Sequence, residues 1–367
     1  MNFNRVKELM DEAVAEHGVP CSEIAITLKG ETVYRYRNGF RDDNKEIPLR
    51  GDELYFLYSA TKPITCTAAL QLVEQGKLKL DDPVSAYIPE FDSLSVMTPQ
   101  GAVRAQNVMT VHNLFTMTSG LNYDLQKPAI LNILQSNPNP STLDMVRAFS
   151  RDPLQFEPGS HFRYGLSHDV LAAIVEVVSG LPFGTYLQKN IFDVCGMKHT
   201  GFVINEDVRS KMCSLYTYIP ETDEAVLVEK VNGFSLSAAY QSGGAGLISC
   251  VDDYSRFVAE MASGNRLLKK ETIDLMRANH LNPQAWQDFQ ACKCGYSYGL
   301  GVRTSINSNF PSNSEFGWDG AGGAYVLIDP VQRLGVFYAT HIKNHGTYLY
   351  QNLHPAIRDA IYEQILS

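Results

Sequence analysis

The chain has 367 residues, of which 44% are hydrophobic and 19% charged, and its formal net charge is −9 at pH 7. This length suffices for one large or two ordinary domains with a substantial core. The negative charge and the lack of basic runs argue against nucleic acids and anionic membranes as partners, and no apolar run approaches transmembrane length.

The N-terminal segment, residues 1–12, alternates as an amphipathic helix and contains acidic side chains. It lacks the uninterrupted apolar core of a signal peptide. The seven cysteines are spread through the chain without a pairing pattern, which is typical of reduced thiols. We therefore expect a cytoplasmic protein.

The period of the apolar residues predicts the order of the elements. Segments Glu23–Leu28 and Glu31–Tyr36 alternate around Lys29-Gly30 and predict a β-hairpin. From Ser59 to about Thr200 the pattern is largely helical. After Gly243 the predicted elements are a helix (Asp252 to Met261), strands near Tyr298–Arg303, Glu315–Trp318, Ala324–Ile328 and Gly335–Thr340, and a last helix from about Leu353 to Leu366. Strands at both ends predict one sheet assembled from both ends of the chain.

The segment Ser59-Ala-Thr-Lys62 is the first candidate for catalytic chemistry. Residues three apart share one side of a helix, so a helix that begins near Ser59 places the Lys62 amine beside the Ser59 hydroxyl. A lysine that has lost its proton can activate an otherwise poor serine nucleophile. Pro63 falls in the first turn, where its missing N–H is tolerated. Taken alone, the tetrapeptide also fits a helix-capping serine followed by a solvated lysine.

Two further motifs follow at suitable intervals: residues 156–169, which contain Tyr164, and Trp318-Asp319-Gly320 followed by the apolar strand 324–328. Together the three motifs resemble the S-x-x-K, S/Y-x-N and K-T-G elements of the serine β-lactamase and penicillin-binding-protein superfamily. The branch they resemble most contains class C β-lactamases, D-amino-acid peptidases and β-lactamase-like (family VIII type) esterases. Segments 114–121 and 243–257 also resemble this branch, and the resemblance extends from about Glu23 to about Thr340.

The resemblance implies a β-lactamase/transpeptidase-like α/β (α+β) fold, in which an antiparallel sheet is flanked by helices and a mainly helical domain is inserted. We expect residues 1–80 and 235–367 to form the sheet domain and residues 81–234 the helical domain. The active site is expected between the two domains.

The family pattern also implies the role of each site residue. Ser59 attacks a carbonyl and forms an acyl-enzyme, while Lys62 and Tyr164 relay its proton; which of the two is the base is left open. The oxyanion hole is expected from the backbone N–H groups of Ser59 and Ala321. No metal and no organic cofactor is needed.

Departures from the family pattern indicate the substrate class. Leu166 stands where β-lactamases carry an asparagine that binds the substrate amide. Trp318 replaces the lysine or histidine that binds a substrate carboxylate, and indole cannot neutralise an anion. Asp319 is expected to repel carboxylates further, and Gly320 completes the substrate-binding motif. The substitutions at Leu166 and Trp318 are both features of the β-lactamase-like esterases, although Trp318 also fits ordinary packing.

Other chemical patterns are better explained structurally. Ser167 in Gly165-Leu-Ser167 lacks the second glycine of a nucleophile elbow and is predicted to cap a helix instead. The glycines Gly244 and Gly246 fit a tight turn rather than a dinucleotide loop. His341 and His345 lie in a segment that reads as a loop, and Cys292-Lys-Cys294 is too closely spaced for a zinc knuckle.

Three functions remain open from the sequence. The first is a serine hydrolase that acts on small esters. The second is a D-amino-acid peptidase, an amidase or a weak β-lactamase, and the third is a catalytically idle homologue that serves as a binding or scaffold protein. Intact Ser59, Lys62 and Tyr164 disfavour the third, and Leu166 and Trp318 favour the first. A small-molecule ester or amide is therefore the expected partner, and the oligomeric state stays unknown.

Overall fold

The structure, a computed structural model, describes residues 1–293, 295–306 and 310–367. Its strands in chain order are β1 (Cys21–Leu28), β2 (Glu31–Gly39), β3 (Tyr55–Phe56), β4 (Ser95–Thr98), β5 (Gly101–Arg104), β6 (Leu215–Ile219), β7 (Glu224–Val228), β8 (Ile248–Ser249), β9 (Tyr296–Tyr298), β10 (Arg303–Ser305), β11 (Phe316–Gly317), β12 (Tyr325–Asp329), β13 (Leu334–Ala339) and β14 (Ile342–Lys343).

The α-helices are α1 (Asn4–Glu16), α2 (Thr61–Glu74), α3 (Val111–Phe115), α4 (Pro128–Ser136), α5 (Thr142–Phe149), α6 (Ser167–Ser179), α7 (Phe183–Leu187), α8 (Asp193–Cys195), α9 (Glu206–Lys211), α10 (Val251–Ser263), α11 (Lys270–Arg277), α12 (Pro283–Gln290), α13 (Gly346–Tyr348) and α14 (His354–Leu366). Short 3-10 turns span Tyr58–Ala60, Val84–Ala86 and Pro89–Ser93, and π-helical turns span Gln188–Phe192 and Leu349–Leu353.

A seven-stranded antiparallel sheet combines both ends of the chain, in the order β2-β1-β13-β12-β11-β10-β9. The N-terminal hairpin joins the C-terminal strands where β1 pairs with β13, with Ile24 opposite Tyr338 and Ile26 opposite Val336. This arrangement confirms the predicted fold class, an antiparallel sheet flanked by helices.

Each strand of the sheet presents alternate residues to two different layers, as the two-residue period of a strand requires. Ala25 and Phe337 face the core that contains α10, where the Tyr254 ring stacks on Phe337 with centroids 4.1 Å apart. Ile24 and Val336 face the opposite core, to which α1 and α14 contribute. The sheet is therefore covered by helices on both faces.

The β1–β2 hairpin confirms its prediction and shows why the turn falls at Lys29-Gly30. Lys29 has φ 55° and Gly30 has φ 88°, so both residues of the two-residue connection are left-handed. This conformation is the one that matches the twist of a tight hairpin, and glycine adopts it without steric cost.

The predicted strand Tyr298–Arg303 is wrong as a single element. The chain turns back between Tyr298 and Arg303, which face each other as partners in the antiparallel strands β9 and β10. Gly301 has φ 84° within this turn, yet Leu300 and Val302 are fully buried. The turn was hidden in the sequence because its apolar residues continue the pattern of the strands.

In the part of the chain that the structure describes, three small sheets accompany the large one: β3 with β8, β4 with β5, and β14 with β6 and β7. The β4–β5 hairpin lies within the region that the sequence predicted as largely helical. The β6–β7 hairpin was assigned to the helical domain, but β6 pairs with β14, and Tyr216, Tyr218 and Ala225 pack against the core that contains α1 and α14. The division into domains at residues 80 and 235 stays a prediction.

Within the described residues, no single helix is long and apolar enough to cross a membrane. The pair Ser167–Ser179 and Phe183–Cys195 meets the length and composition criteria only when joined across a 74° bend.

Candidate active site

Ser59 lies in a tight turn between a strand and a helix. Strand β3 ends at Phe56, the 3-10 turn Tyr58–Ala60 follows, and α2 begins at Thr61. Tyr58 has φ 45°, an uncommon left-handed conformation for a bulky side chain. Strain of this kind tends to occur at functional sites, where the surrounding structure enforces it.

The Lys62 amine lies at the centre of the candidate site. Its Nζ atom is 3.1 Å from Ser59 Oγ, 2.9 Å from the Tyr123 hydroxyl and 2.7 Å from the Gly244 carbonyl oxygen. The Lys62 residue is fully buried. The structure thus brings Ser59 and Lys62 into hydrogen-bond contact.

Burial determines the protonation of Lys62. Desolvation disfavours the ammonium form and lowers the Lys62 pKa to about 7, although the nearby Asp169 carboxylate opposes this shift. Asp169 is itself fully buried, and its Oδ1 accepts hydrogen bonds from the hydroxyls of Tyr240 and Ser242, both at 2.6 Å. A lysine with this pKa is substantially neutral at physiological pH and can accept a proton.

Sequence reasoning missed Tyr123, the Gly244 carbonyl and Asp169 as neighbours of Lys62. Tyr123 follows the segment 114–121, and Gly244 lies in the segment 243–257, both of which resemble the family. The family resemblance of these two segments was the sequence signal that could have pointed to Tyr123 and Gly244. The contacts themselves form between residues that are distant along the chain, so no local spacing could indicate them.

Tyr164 lies beside the Lys62 amine and is held from the other side by Trp318. Lys62 Nζ is 4.4 Å from the centroid of the Tyr164 ring. Trp318 Nε1 donates a hydrogen bond of 2.7 Å to the Tyr164 hydroxyl oxygen. Burial raises the Tyr164 pKa, although hydrogen bonds with Ser59 and Trp318 oppose the shift. Tyr164 is therefore a phenol at neutral pH.

Asp319 does not present an unpaired negative charge, so the premise on which it was expected to repel carboxylates does not hold, and its role in substrate binding stays a prediction. It forms an ion pair with Lys293 and accepts a hydrogen bond of 3.2 Å from Arg303 Nη1. Burial tends to raise the Asp319 pKa, but Lys293 and Arg303 together lower it to about 2. The sequence could not reveal this compensation because both cations come from other elements.

The third motif packs against the segment that precedes Ser59. A Cβ atom on Gly320 would lie 2.3 Å from the Leu57 carbonyl oxygen, and one on Gly322 would lie 3.1 Å from the Tyr58 ring. Ala321, between them, is exposed, and its N–H has no hydrogen-bond acceptor among the described residues. The loop is therefore adjacent to Ser59, while the oxyanion-hole assignment of Ser59 and Ala321 stays a prediction.

Leu166 and Ser167 lie at the start of α6 and are buried. Leu166 is 3% exposed and belongs to the main hydrophobic core; its role in substrate binding stays a prediction. The prediction that Ser167 caps the helix is wrong: Leu166 occupies the cap position, and Ser167 Oγ is 2.8 Å from Ser119 Oγ. Two buried hydroxyls satisfy each other here, which the sequence pattern does not indicate.

The two remaining histidine candidates have structural partners. His341 Nε2 accepts from the Phe56 N–H at 3.2 Å, and His345 Nε2 is 2.7 Å from the His17 carbonyl oxygen. Cys292 is an exposed thiol, and Cys294 lies outside the described residues.

An open cleft of about 830 Å³ borders the candidate site. Its walls include both tyrosines near Lys62, Tyr123 and Tyr164, together with Phe156, Phe162 and the side chain of Arg163. The lining combines these aromatic rings with polar and charged side chains, among them Asp124, His161 and Asp288, so it can contact both the apolar and the polar parts of a small organic substrate. The geometry offers a serine, a neutral amine and a phenol beside a space for substrate.

Comparisons with known proteins identify relatives of this chain. The family model described as Beta-lactamase matches residues 6–354. The chain is 28% identical to esterase EstB of Burkholderia gladioli, over 98% of this chain and 94% of that protein. It is 30% identical to the lovastatin esterase of Penicillium rubens, over 71% of this chain and 69% of that one. Among solved structures, EstCE1, a hydrolase with promiscuous acyltransferase activity, superposes with a TM-score of 0.82 at 26% identity, covering 98% of each chain.

Proposed function

The chain belongs to the β-lactamase family, and on that premise we propose that it is a serine esterase that forms an acyl-enzyme at Ser59. The observation that carries this proposal is the contact of 3.1 Å between the Ser59 hydroxyl and a fully buried Lys62 amine. The esterase and hydrolase relatives support the substrate class.

The three partners of Lys62 suit a neutral amine that acts as the base. A neutral amine has two hydrogens and one lone pair. The Gly244 carbonyl can only accept one hydrogen, and the Tyr123 hydroxyl can accept the other. The lone pair is then left for the Ser59 proton, and the lowered Lys62 pKa keeps it available near pH 7.

In the proposed reaction, Ser59 Oγ bonds to the ester carbonyl carbon while its proton passes to Lys62. The leaving alcohol takes a proton from Tyr164 as its bond to that carbon breaks, and Lys62 returns a proton to Tyr164. Water then attacks the carbonyl carbon of the acyl-enzyme, and Lys62 and Tyr164 pass the protons in the reverse order until Ser59 has regained its own. The new Lys62 ammonium would be stabilised by the Tyr164 ring, 4.4 Å from Nζ, and by Asp169.

The tryptophan at position 318 indicates that the substrates are esters rather than β-lactams or D-amino-acid peptides. These alternative substrates carry a carboxylate that the family binds with a cation at this position, and Trp318 supplies none there. Its indole N–H is occupied by the Tyr164 hydroxyl. The nearby Lys293 is paired with Asp319 and lines a different cavity, not the cleft beside Tyr164. An ester that carries no carboxylate at this position loses no binding contact when Trp318 replaces the cation.

A labelling experiment tests the nucleophile. A fluorophosphonate probe is expected to add one label to the wild-type protein and none to Ser59→Ala. Ser167→Ala is the matched control, because this serine is fully buried and is expected to leave labelling intact. Labelling that survives in Ser59→Ala and disappears in Ser167→Ala would assign the chemistry to Ser167.

A substrate panel tests the class. We expect hydrolysis of short-chain p-nitrophenyl esters far above that of D-amino-acid amides and nitrocefin. Efficient nitrocefin turnover by the wild-type enzyme would favour the β-lactamase alternative. No turnover of any member, together with no fluorophosphonate labelling, would favour an idle binding homologue.

Location in the cytoplasm is part of the proposal. The six cysteines in the described residues are all free thiols, which suits a reducing compartment.

A further inference from the structure

A second cavity lies against the third motif at Asp319. It has a volume of about 620 Å³, and Asp319, Lys293, Arg303, Tyr350 and His354 contribute to its walls. The residues Ala291 and Cys292 line both this cavity and the catalytic cleft. The two spaces are therefore adjacent.

The walls of this cavity carry more positive than negative groups. Lys293, Arg303 and Arg358 line it, and among the described lining residues only Asp319 is acidic. Glu315 lies just behind the wall, with its Oε1 4.0 Å from Arg358 Nη1. Asp359 pairs with Arg358 from an exposed position, where solvent screens it. The buried charges therefore leave an excess of about one positive charge.

Donor capacity also remains unused. Lys293 forms one ion pair, with Asp319, although an ammonium has three hydrogens. Arg303 uses Nη1 for Asp319 and Nη2 for the Val326 carbonyl, so part of its five-hydrogen fork is free. Burial lowers the Lys293 pKa while Asp319 raises it, so an added anion would favour the charged form.

His354 gives an independent sign of a missing polar partner. It is 2% exposed and lines the cavity, yet neither ring nitrogen has a hydrogen-bond partner within the described residues. The Gly323 backbone approaches it closely enough to raise its pKa slightly, while burial lowers that pKa to about 3. The ring is thus neutral, with one N–H to donate, and it stacks on Tyr325 with centroids 4.8 Å apart. Buried polar groups normally find a partner.

We propose that this cavity binds a carboxylate, which accepts hydrogen bonds from Lys293, Arg303 and the His354 ring. One carboxylate group carries a single negative charge, which matches the excess of one positive charge better than the double charge of a phosphate group. The carboxylate belongs either to the distal end of an ester substrate or to a separate small acid. Only the first source rests on the proposed esterase function.

Binding of glutarate, measured by titration calorimetry, tests the site without any catalysis. We expect wild-type protein to bind glutarate and Lys293→Met to bind it roughly tenfold more weakly or worse, the scale of a lost charge-assisted hydrogen bond. Lys230→Met is the matched control, because Lys230 is a partly buried lysine that donates to the Met212 carbonyl elsewhere. It is expected to bind glutarate like the wild type.

A second variant, His354→Phe, keeps a flat ring against Tyr325 and removes both nitrogens. It is expected to weaken glutarate binding several-fold, and it keeps the test informative if Lys293→Met does not fold, as judged by circular dichroism. Absence of glutarate binding in the wild type would overturn the proposal, as would equal binding in the wild type and both variants.

Matched substrates then identify the source of the carboxylate. If it belongs to the substrate, mono-p-nitrophenyl glutarate will show a lower KM than p-nitrophenyl valerate, and Lys293→Met will abolish the difference. If it belongs to a separate acid, the two esters will have similar KM values while free glutarate still binds. Failure of the esterase proposal would appear differently, as no turnover of either ester with glutarate binding unaffected.

Discussion

At the scale of single residues, the proposed chemistry depends on the charge of Lys62. Its Nζ contacts the Ser59 hydroxyl, the Tyr123 hydroxyl and the Gly244 carbonyl oxygen. In the proposed reaction the Ser59 hydroxyl loses its proton, while the Tyr123 hydroxyl accepts a hydrogen bond. Desolvation favours the neutral amine, and Asp169 favours the ammonium. In the proposed mechanism, the balance of these two effects sets the pH at which the site is active.

We expect kcat/KM for p-nitrophenyl butyrate to rise as the pH increases through about 7, because only neutral Lys62 accepts the Ser59 proton. Asp169→Asn removes the charge that raises the Lys62 pKa, so the rising limb should move to lower pH. A pH–rate profile measures both effects. Asp144→Asn, which alters a capping carboxylate of α5, is the control and should leave the limb in place. An unmoved limb in Asp169→Asn would mean that Lys62 senses no charge from Asp169.

Trp318 and Tyr164 are expected to act as one unit. Trp318→Phe removes the Nε1 hydrogen bond to the Tyr164 hydroxyl but keeps an aromatic ring. A neutral hydrogen bond contributes about 0.5–1.5 kcal/mol, so kcat should fall roughly two- to tenfold. Tyr164→Phe should lower kcat by about 10² or more, as expected for lost acid–base catalysis.

The double variant Tyr164→Phe, Trp318→Phe should then be no slower than Tyr164→Phe alone, since the bond has already lost its acceptor. Steady-state kinetics of the three variants measure this. Additive losses would instead assign Trp318 a separate role against the substrate.

The three-residue spacing of Ser59 and Lys62 predicted their contact, because a helix brings residues three apart to the same side. Tyr164 came only from its position in a family motif, since one of nineteen tyrosines carries no signal by itself. Tyr123 and Asp169 reach Lys62 through tertiary packing, so the sequence did not identify them as its neighbours. The same holds for Lys293 and Arg303, which compensate Asp319.

At the scale of elements, the site depends on two short segments in contact. The loop 320–322 lies against residues 56–58, and its close approach requires glycine at position 320. The same loop carries the exposed Ala321 N–H that we assign to the oxyanion hole. Its placement relative to Ser59 is therefore set by backbone packing rather than by side chains.

Gly320→Ala should displace this loop, because the added Cβ would lie 2.3 Å from the Leu57 carbonyl oxygen. We expect kcat to fall by about 10² or more, the scale of a lost oxyanion donor. Thermal unfolding monitors the accompanying loss of stability. Gly233→Ala is the control, since its Cβ would have no atom within 4 Å. Normal turnover in Gly320→Ala would separate this loop from catalysis.

Prediction of elements succeeded where the periodicity ends at a turn residue, as at Lys29-Gly30. It failed between Tyr298 and Arg303, where a buried turn continues the apolar pattern and one predicted strand proved to be two. It also failed for the β4–β5 hairpin, whose strands are only four residues each. Short strands provide too few residues for a two-residue period to be recognised.

At the scale of the whole molecule, the sheet depends on pairing between the two ends of the chain. Strand β1 lies between β2 and β13, and Glu23 on β1 faces Ala339 on β13. Glu23 is 5% exposed and accepts a hydrogen bond of 3.3 Å from the Tyr55 hydroxyl. A buried carboxyl at the seam between the two ends should make global stability depend on pH.

Burial and the neighbouring Glu53 carboxylate raise the Glu23 pKa from 4.5 to about 7, although Arg37, Tyr55 and Arg35 oppose the shift. The folded state therefore holds a proton that the unfolded chain releases between pH 4.5 and 7. The stability this proton contributes is complete below the unfolded pKa and is lost as the pH rises through the folded value, a change of about 3 kcal/mol.

Glu23→Gln keeps a polar side chain beside Tyr55 but cannot ionise, so it should remove this pH dependence. The free energy of unfolding of Glu23→Gln minus that of the wild type should increase by about 3 kcal/mol between pH 5 and pH 8. Urea denaturation of both proteins at both pH values measures this difference. Glu31→Gln, at the exposed start of β2, is the control and should follow the wild type. Parallel pH profiles for Glu23→Gln and wild type would show that the Glu23 pKa is not raised in the folded sheet.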